Sequence, residues 1–151
     1  MTPSGGGRLL ANLAPARLLS GVKIEHVAPD GRAFTVALRP RWFRGGEGTA
    51  HTGAALYAMV DPFLVRMVQQ AMGEGYLVWD KAGSIEILAP AHGRVWVRAE
   101  LPDDHLRHMR AMTESGDKHL HLFAVDVRDA EGMAVARVEK MIYVRRRGKP
   151  V

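Results

Sequence analysis

The segment GTAHTGAALYAMVDPFLVRMVQQAMG, residues 48–73, is apolar on every side over its first half and turns polar only toward its end. A helix that is apolar all round has to be wrapped, and this limits the folds open to the chain. Residues 54–72 predict a helix about 28 Å long at ~1.5 Å per residue, so the cover must be broad. The rest of the sequence supplies strands. GVKIEHVAPDGRAFTVALRP reads as a hairpin about Asp30-Gly31, with Phe34, Val36 and Leu38 on one face. YLVWDKAGSIEILAP and GRVWVRAEL are β-like runs with a turn at residues 89–93, and HLHLFAVDVRDAEGMAVARVEKMIYV is a long hairpin about residues 129–132. Between them, DDHLRHMRAMTESGD predicts a short helix starting at Asp103 and Asp104 and stopped by Gly116. Strands and helices do not alternate, so the expected class is α+β: an antiparallel sheet curled around one long helix. One sheet covers one side of such a helix, and the uncovered side predicts self-association.

The long segment is interrupted by Asp61-Pro62. Local chemistry reads Asp61 as the cap of a second helical piece with Pro62 at its first position, since Asp accepts from free N–H groups and Pro has none to lose. The setting adds a second reading. A carboxylate among Tyr57, Ala58, Met59, Val60, Phe63 and Leu64 is costly to desolvate unless it has a partner or faces a cavity, and groups so placed often carry function. Gly53 stands eight residues upstream, where the helix begins. The first N–H groups of a helix lack intrahelical acceptors and suit a developing oxyanion, and a glycine there lets a substrate approach closely. Local sequence alone also accounts for Gly48 and Gly53 as residues that permit the turn.

With these residues in view, Gly48-Thr49 followed by HTGAALYAMVDPF, then VWDKAGSIEILAPAHGRVWVRAEL, then FAVDVRDAEGMAVARVEKMIYV, resembles the hot-dog fold thioesterase superfamily, including its phenylacetyl-CoA thioesterase-like group. ALYAMVDPF, VWDKA and VARVEKMIYV are similar to a poorly characterised bacterial hot-dog family. The resemblance covers roughly residues 21–145. It implies a hot-dog fold, dimers with sites at the subunit interface, often tetramers, and hydrolysis of an acyl-CoA thioester. In that scheme Asp61 is nucleophile or general base, and the Gly53 N–H polarises the carbonyl. Coenzyme A enters only as part of the substrate, and no separate cofactor is expected. Many relatives carry His-Gly-Gly at the helix start; here Thr52, Gly53 and Ala54 occupy those positions, with His51 one residue early. His51 and Thr52 are therefore candidate substrate-binding residues. Pro62 is a second departure, one that bears on how Asp61 is aimed. Hot-dog hydratases place a His about five residues after the Asp, and none occurs between Pro62 and Met72, which favours hydrolysis over hydration.

Trp79-Asp80-Lys81 alternates on a strand, with Trp79 and Lys81 on one side and Asp80 on the other. The local reading is a structural Trp and an ion pair at a sheet edge; the functional reading has Trp79 lining an acyl pocket. His119 and His121 share a strand face, and His105 and His108 lie three apart on the short helix. No metal is expected, because a full ligand set needs a further residue brought from elsewhere. The net charge of +5 gathers partly in YVRRRGK, read as a solvated tail rather than a nucleic-acid surface. Arg44, or Arg145, Arg146 and Arg147, are candidates for the phosphates of coenzyme A.

At 151 residues without cysteine, the chain is one domain's worth and has no disulfide or thiolate site. The expected organisation is an N-terminal segment (1–20), a hot-dog domain (21–145) and a basic tail (146–151). The N-terminus has no unbroken apolar core of a signal peptide, and no run approaches the ~18 residues that span a bilayer, so a cytoplasmic protein without membrane insertion is expected. The competing function is a hot-dog protein that binds an acyl or lipid-like ligand without cleaving it.

Overall fold

The computed structural model describes residues 21–39 and 50–148. The chain forms β1 (Val22–Val27), β2 (Ala33–Leu38), α1 (Gly53–Ala58), α2 (Asp61–Met72), β3 (Tyr76–Ile87), β4 (Val95–Glu100), α3 (Asp103–Met112), β5 (Lys118–Arg128) and β6 (Ala134–Arg146). The six strands make one sheet in the order β1-β2-β4-β5-β6-β3, with every pairing antiparallel. This is the hot-dog fold: a curved sheet around the long helix formed by α1 and α2 in succession. The first hairpin turns at Gly31, whose φ of 70° is one that glycine adopts without steric cost.

The helix breaks where Pro62 requires it. Pro62 has no N–H for the carbonyl four residues back, and its ring crowds that carbonyl. The ladder tightens instead, with Met59 N–H donating to Leu56 O, Val60 N–H to Tyr57 O and Phe63 N–H to Val60 O. Met59 and Val60 both keep right-handed helical angles, so the chain turns on into α2 rather than changing hand. Contrary to the local expectation for Asp61, the N-cap of α2 is Val60. Asp61 is the first residue of the helix, and no side chain caps it. The Asp61 carboxylate, not used as a cap, faces elsewhere.

The core lies between this helix and the inner face of the sheet. Leu56, Met59, Val60, Leu64 and Val68 from the helix meet Val36, Val95, Val97, Val138, Ile142 and Val144 from the strands, all 0–1 % exposed. Along the helix Ala54 and Ala58 stay exposed, and Asp61 and Val65 are half-buried. Among the described residues β3 is an edge strand with β6 as its one strand partner, and most of its residues from Trp79 onward are exposed. A long unpaired edge of this kind is a template for further pairing.

α3 packs on β5 through four imidazoles. His121 Nε2 lies 3.1 Å from His105 Nδ1, and His119 Nε2 lies 3.3 Å from His121 Nδ1. His108 stands edge-on to His119 with ring centroids 5.1 Å apart. Among the described residues no group of three or more His, Cys, Asp or Glu is arranged to hold a metal ion. Burial pushes the His121 imidazole down to about 4, helped by His105, His119 and His108, and burial with His108 also lowers His119. In the unfolded chain a histidine takes its proton near 6.5. Between these values the unfolded state binds more protons, so stability falls as pH drops below about 6.5 and levels off near 4. Thermal unfolding from pH 8 to pH 4 is expected to show this decline, and His121→Phe should flatten it. Equal slopes in the two proteins would refute the assignment to His121.

Candidate functional site

Lys140 organises the site. On β6 the inner face runs Val138, Lys140, Ile142, Val144, so a lysine occupies a core position between valine and isoleucine, and it is 1 % exposed. A buried ammonium needs partners, and three elements supply them. Its Nζ donates to Tyr57 Oη of α1 at 3.0 Å, to Asp61 Oδ1 of α2 at 2.5 Å, and to Asp80 Oδ2 of β3. All three ammonium hydrogens are thereby used. Burial by itself lowers the Lys140 value, but the hydrogen bonds to Asp61, Asp80 and Tyr57 outweigh it, and Lys140 is raised above an ordinary lysine. It is a fixed cation.

Two features of β3 make room for this cluster. The β3–β6 register shifts between Asp80 and Ala82, so Lys81 is an extra residue and the strand bulges beside Lys140. Gly83 then pairs with Lys140 across the ladder. A Cβ on Gly83 would run into the Tyr57 hydroxyl and come within 2.9 Å of Lys140 Cδ. The missing side chain is what lets phenol and ammonium meet.

Asp61 therefore has a partner, and it is not its own backbone. One oxygen is tied to Lys140 while the side chain as a whole remains 42 % exposed. Asp80, on the opposite side of its strand from Trp79 as alternation predicts, ion-pairs with the buried Lys140 of the neighbouring strand β6. Asp61 and Asp80 stand out in the sequence; Lys140 and Tyr57 do not. The signal for Lys140 was present as a lone charge at period two within the apolar run VARVEKMIYV; nothing local marks Tyr57.

The other expected residues fall in different places. Gly53 is the first residue of α1, with Ile87 Cδ1 the nearest group that an added Cβ would meet, at 3.7 Å. Thr52 is the N-cap of α1, and its Oγ1 accepts from Ala55 N–H at 3.2 Å. His51 is tied to the segment before β4, its Nε2 lying 2.7 Å from Gly93 O and its N–H donating to Ala91 O. Trp79 lies on the outer face, stacked on Tyr143 at 3.8 Å between centroids, and the structure does not bring it to Asp61. Arg44 lies outside the described residues. Arg145 and Arg147 donate to Gly116 O and Tyr76 O at the end of β6.

A cavity of about 620 Å³ has a lining that includes Trp96, Arg98, Leu122, Asp126 and Arg137 and none of Tyr57, Asp61, Asp80 or Lys140. It forms where β4 and β5 diverge, joined through the single register pair Trp96↔Arg128.

Several solved structures share the architecture. PA5026 of Pseudomonas aeruginosa, a protein of unknown function described as a probable thioesterase, superposes with a TM-score of 0.80 at 17% identity, over 96% of this chain and 97% of that one. The thioesterase HI1161 of Haemophilus influenzae gives 0.67 at 13% identity, covering 97% and 93%. PaaI from the phenylacetic acid degradation operon of E. coli gives 0.58 at 11% identity, covering 93% and 89%. At these identities the likeness speaks to fold. No curated protein sequence matches the chain. The family model described as a domain of unknown function, DUF4442, matches residues 8–144, and the chain, a hot-dog fold by its architecture, belongs to that family.

Proposed function

We propose that this protein hydrolyses acyl-CoA thioesters. The observation that carries the reading is the state of Asp61: a carboxylate at a helix break, with one oxygen fixed by Lys140 and the side chain still 42 % exposed. Likeness to proteins described as thioesterases adds support through the fold. Asp61 Oδ2 takes a proton from water as hydroxide adds to the thioester carbonyl; the C–S bond then breaks and the proton passes to the leaving thiolate. Attack by Asp61 itself, with a mixed anhydride hydrolysed afterwards, uses the same geometry. The Gly53 N–H, at the start of α1 where no intrahelical acceptor exists, stabilises the oxyanion. Two copies paired along their β3 edges complete the site, as a homodimer or a dimer of dimers in the cytoplasm. Arg145, Arg146 and Arg147 are available for the phosphates of coenzyme A, which is part of the substrate and not a resident cofactor.

The test is thiol release from a panel of acyl-CoAs that varies chain length and includes aryl-acetyl groups. Turnover of at least one class is expected, and an inert protein across the panel removes the reading. A second reading has one observation in its favour: Asp61 is ion-paired with Lys140, as suits a site that holds an acyl or lipid-like ligand without cleaving it. A retained ligand in native mass spectrometry, together with inert kinetics, would establish that alternative.

A further inference from the structure

We propose that Lys140 is a positioning residue of this site, holding Asp61 in place against the like charge of Asp80 so that Oδ1 is fixed and Oδ2 is left for substrate. The inference rests on the thioester-hydrolase reading for its catalytic consequence, and on geometry for the rest. Asp61 Oδ1 and Asp80 Oδ2 contact the same nitrogen, so the two carboxylates are neighbours whatever else they do. Two like charges that close repel unless a cation lies between them. Among the described residues the titratable groups facing Lys140 are Tyr57 from α1, Asp61 from α2 and Asp80 from β3, while β5 places the apolar Phe123 opposite it in register. Nothing else among these groups can neutralise the pair.

Lys140 has no hydrogen left for a substrate, since Tyr57 takes the third. It acts through Asp61 and not on the reacting atoms. The fold also commits backbone to this arrangement: the bare Cα of Gly83 leaves the space the lysine occupies, next to the bulge at Lys81. A lysine needed only to fill space at a position flanked by Val138 and Ile142 would be replaced without loss by an apolar residue of similar volume.

The test uses Lys140→Met, Asp80→Asn and the double variant. With Lys140→Met, kcat is expected to fall on the order of 10- to 100-fold while KM changes little, because a misplaced carboxylate costs orientation rather than affinity. Adding Asp80→Asn to Lys140→Met removes the facing charge and supplies an amide donor, and should recover roughly tenfold or more. An unchanged kcat in Lys140→Met, or a double variant no better than the single, overturns the proposal. Thermal unfolding of the same variants decides the matter if the wild type hydrolyses nothing. Asp80→Asn should then lower Tm in the wild-type background and raise it in the Lys140→Met background; shifts of the same sign in both would end the inference independently of the thioesterase reading.

Discussion

Asp61→Asn is expected to lower kcat for thioester hydrolysis by about 10²- to 10⁴-fold, the usual contribution of a positioned acid–base group. The substitution is nearly isosteric. The amide oxygen can still accept from Lys140, and Lys140 keeps its bonds to Asp80 and Tyr57, so the cluster should hold and Tm should move little. What is lost is a proton acceptor or nucleophile with a full negative charge. Pairing steady-state kinetics with thermal unfolding separates this from a folding defect. A variant that hydrolyses its substrate at the wild-type rate would reduce Asp61 to a structural partner of the lysine.

Gly83→Ala is expected to destabilise the protein by about 1–3 kcal/mol through overpacking. Two effects compete. Replacing glycine in an unstrained strand normally helps by about 0.4–1 kcal/mol, because the unfolded chain becomes less free, and Gly83 is not among the positive-φ glycines. Here the new methyl would meet the Tyr57 hydroxyl, lie 2.9 Å from Lys140 Cδ and lie 3.2 Å from the backbone oxygen of Glu139. The backbone oxygen cannot give way cheaply, so the clash wins. Since relief requires the lysine stem or the phenol to move, hydrolysis should fall together with Tm. A Gly83→Ala protein with wild-type Tm would show that the pocket around Lys140 is looser than its geometry implies.

The strands were legible because their signals are local. Alternation around Asp30-Gly31, the turn at residues 129–132 and the run YLVWDKAGSIEI each depend on residues close in sequence, and β1, β2, β3, β5 and β6 formed where those signals lie. The helix break was also legible at Pro62, whose missing N–H acts on its own turn. Its cap was not. Whether Asp61 turns back to its own amides or outward depends on what stands opposite, and that is Lys140, 79 residues away in the chain.

Sequence by itself determined the class of fold, one long helix and the strands to cover it, because side-chain period and turn chemistry are properties of neighbouring residues. It also determined that a carboxylate would interrupt the apolar helix. Tertiary structure alone decided that Tyr57, Asp61 and Asp80 share one ammonium, that Trp79 stacks on Tyr143 and that His51 reaches Gly93 O. The physical reason is that a buried charge is neutralised by whatever the fold brings within a few ångströms, and that proximity is set by strand register and helix packing, which no stretch of sequence encodes alone.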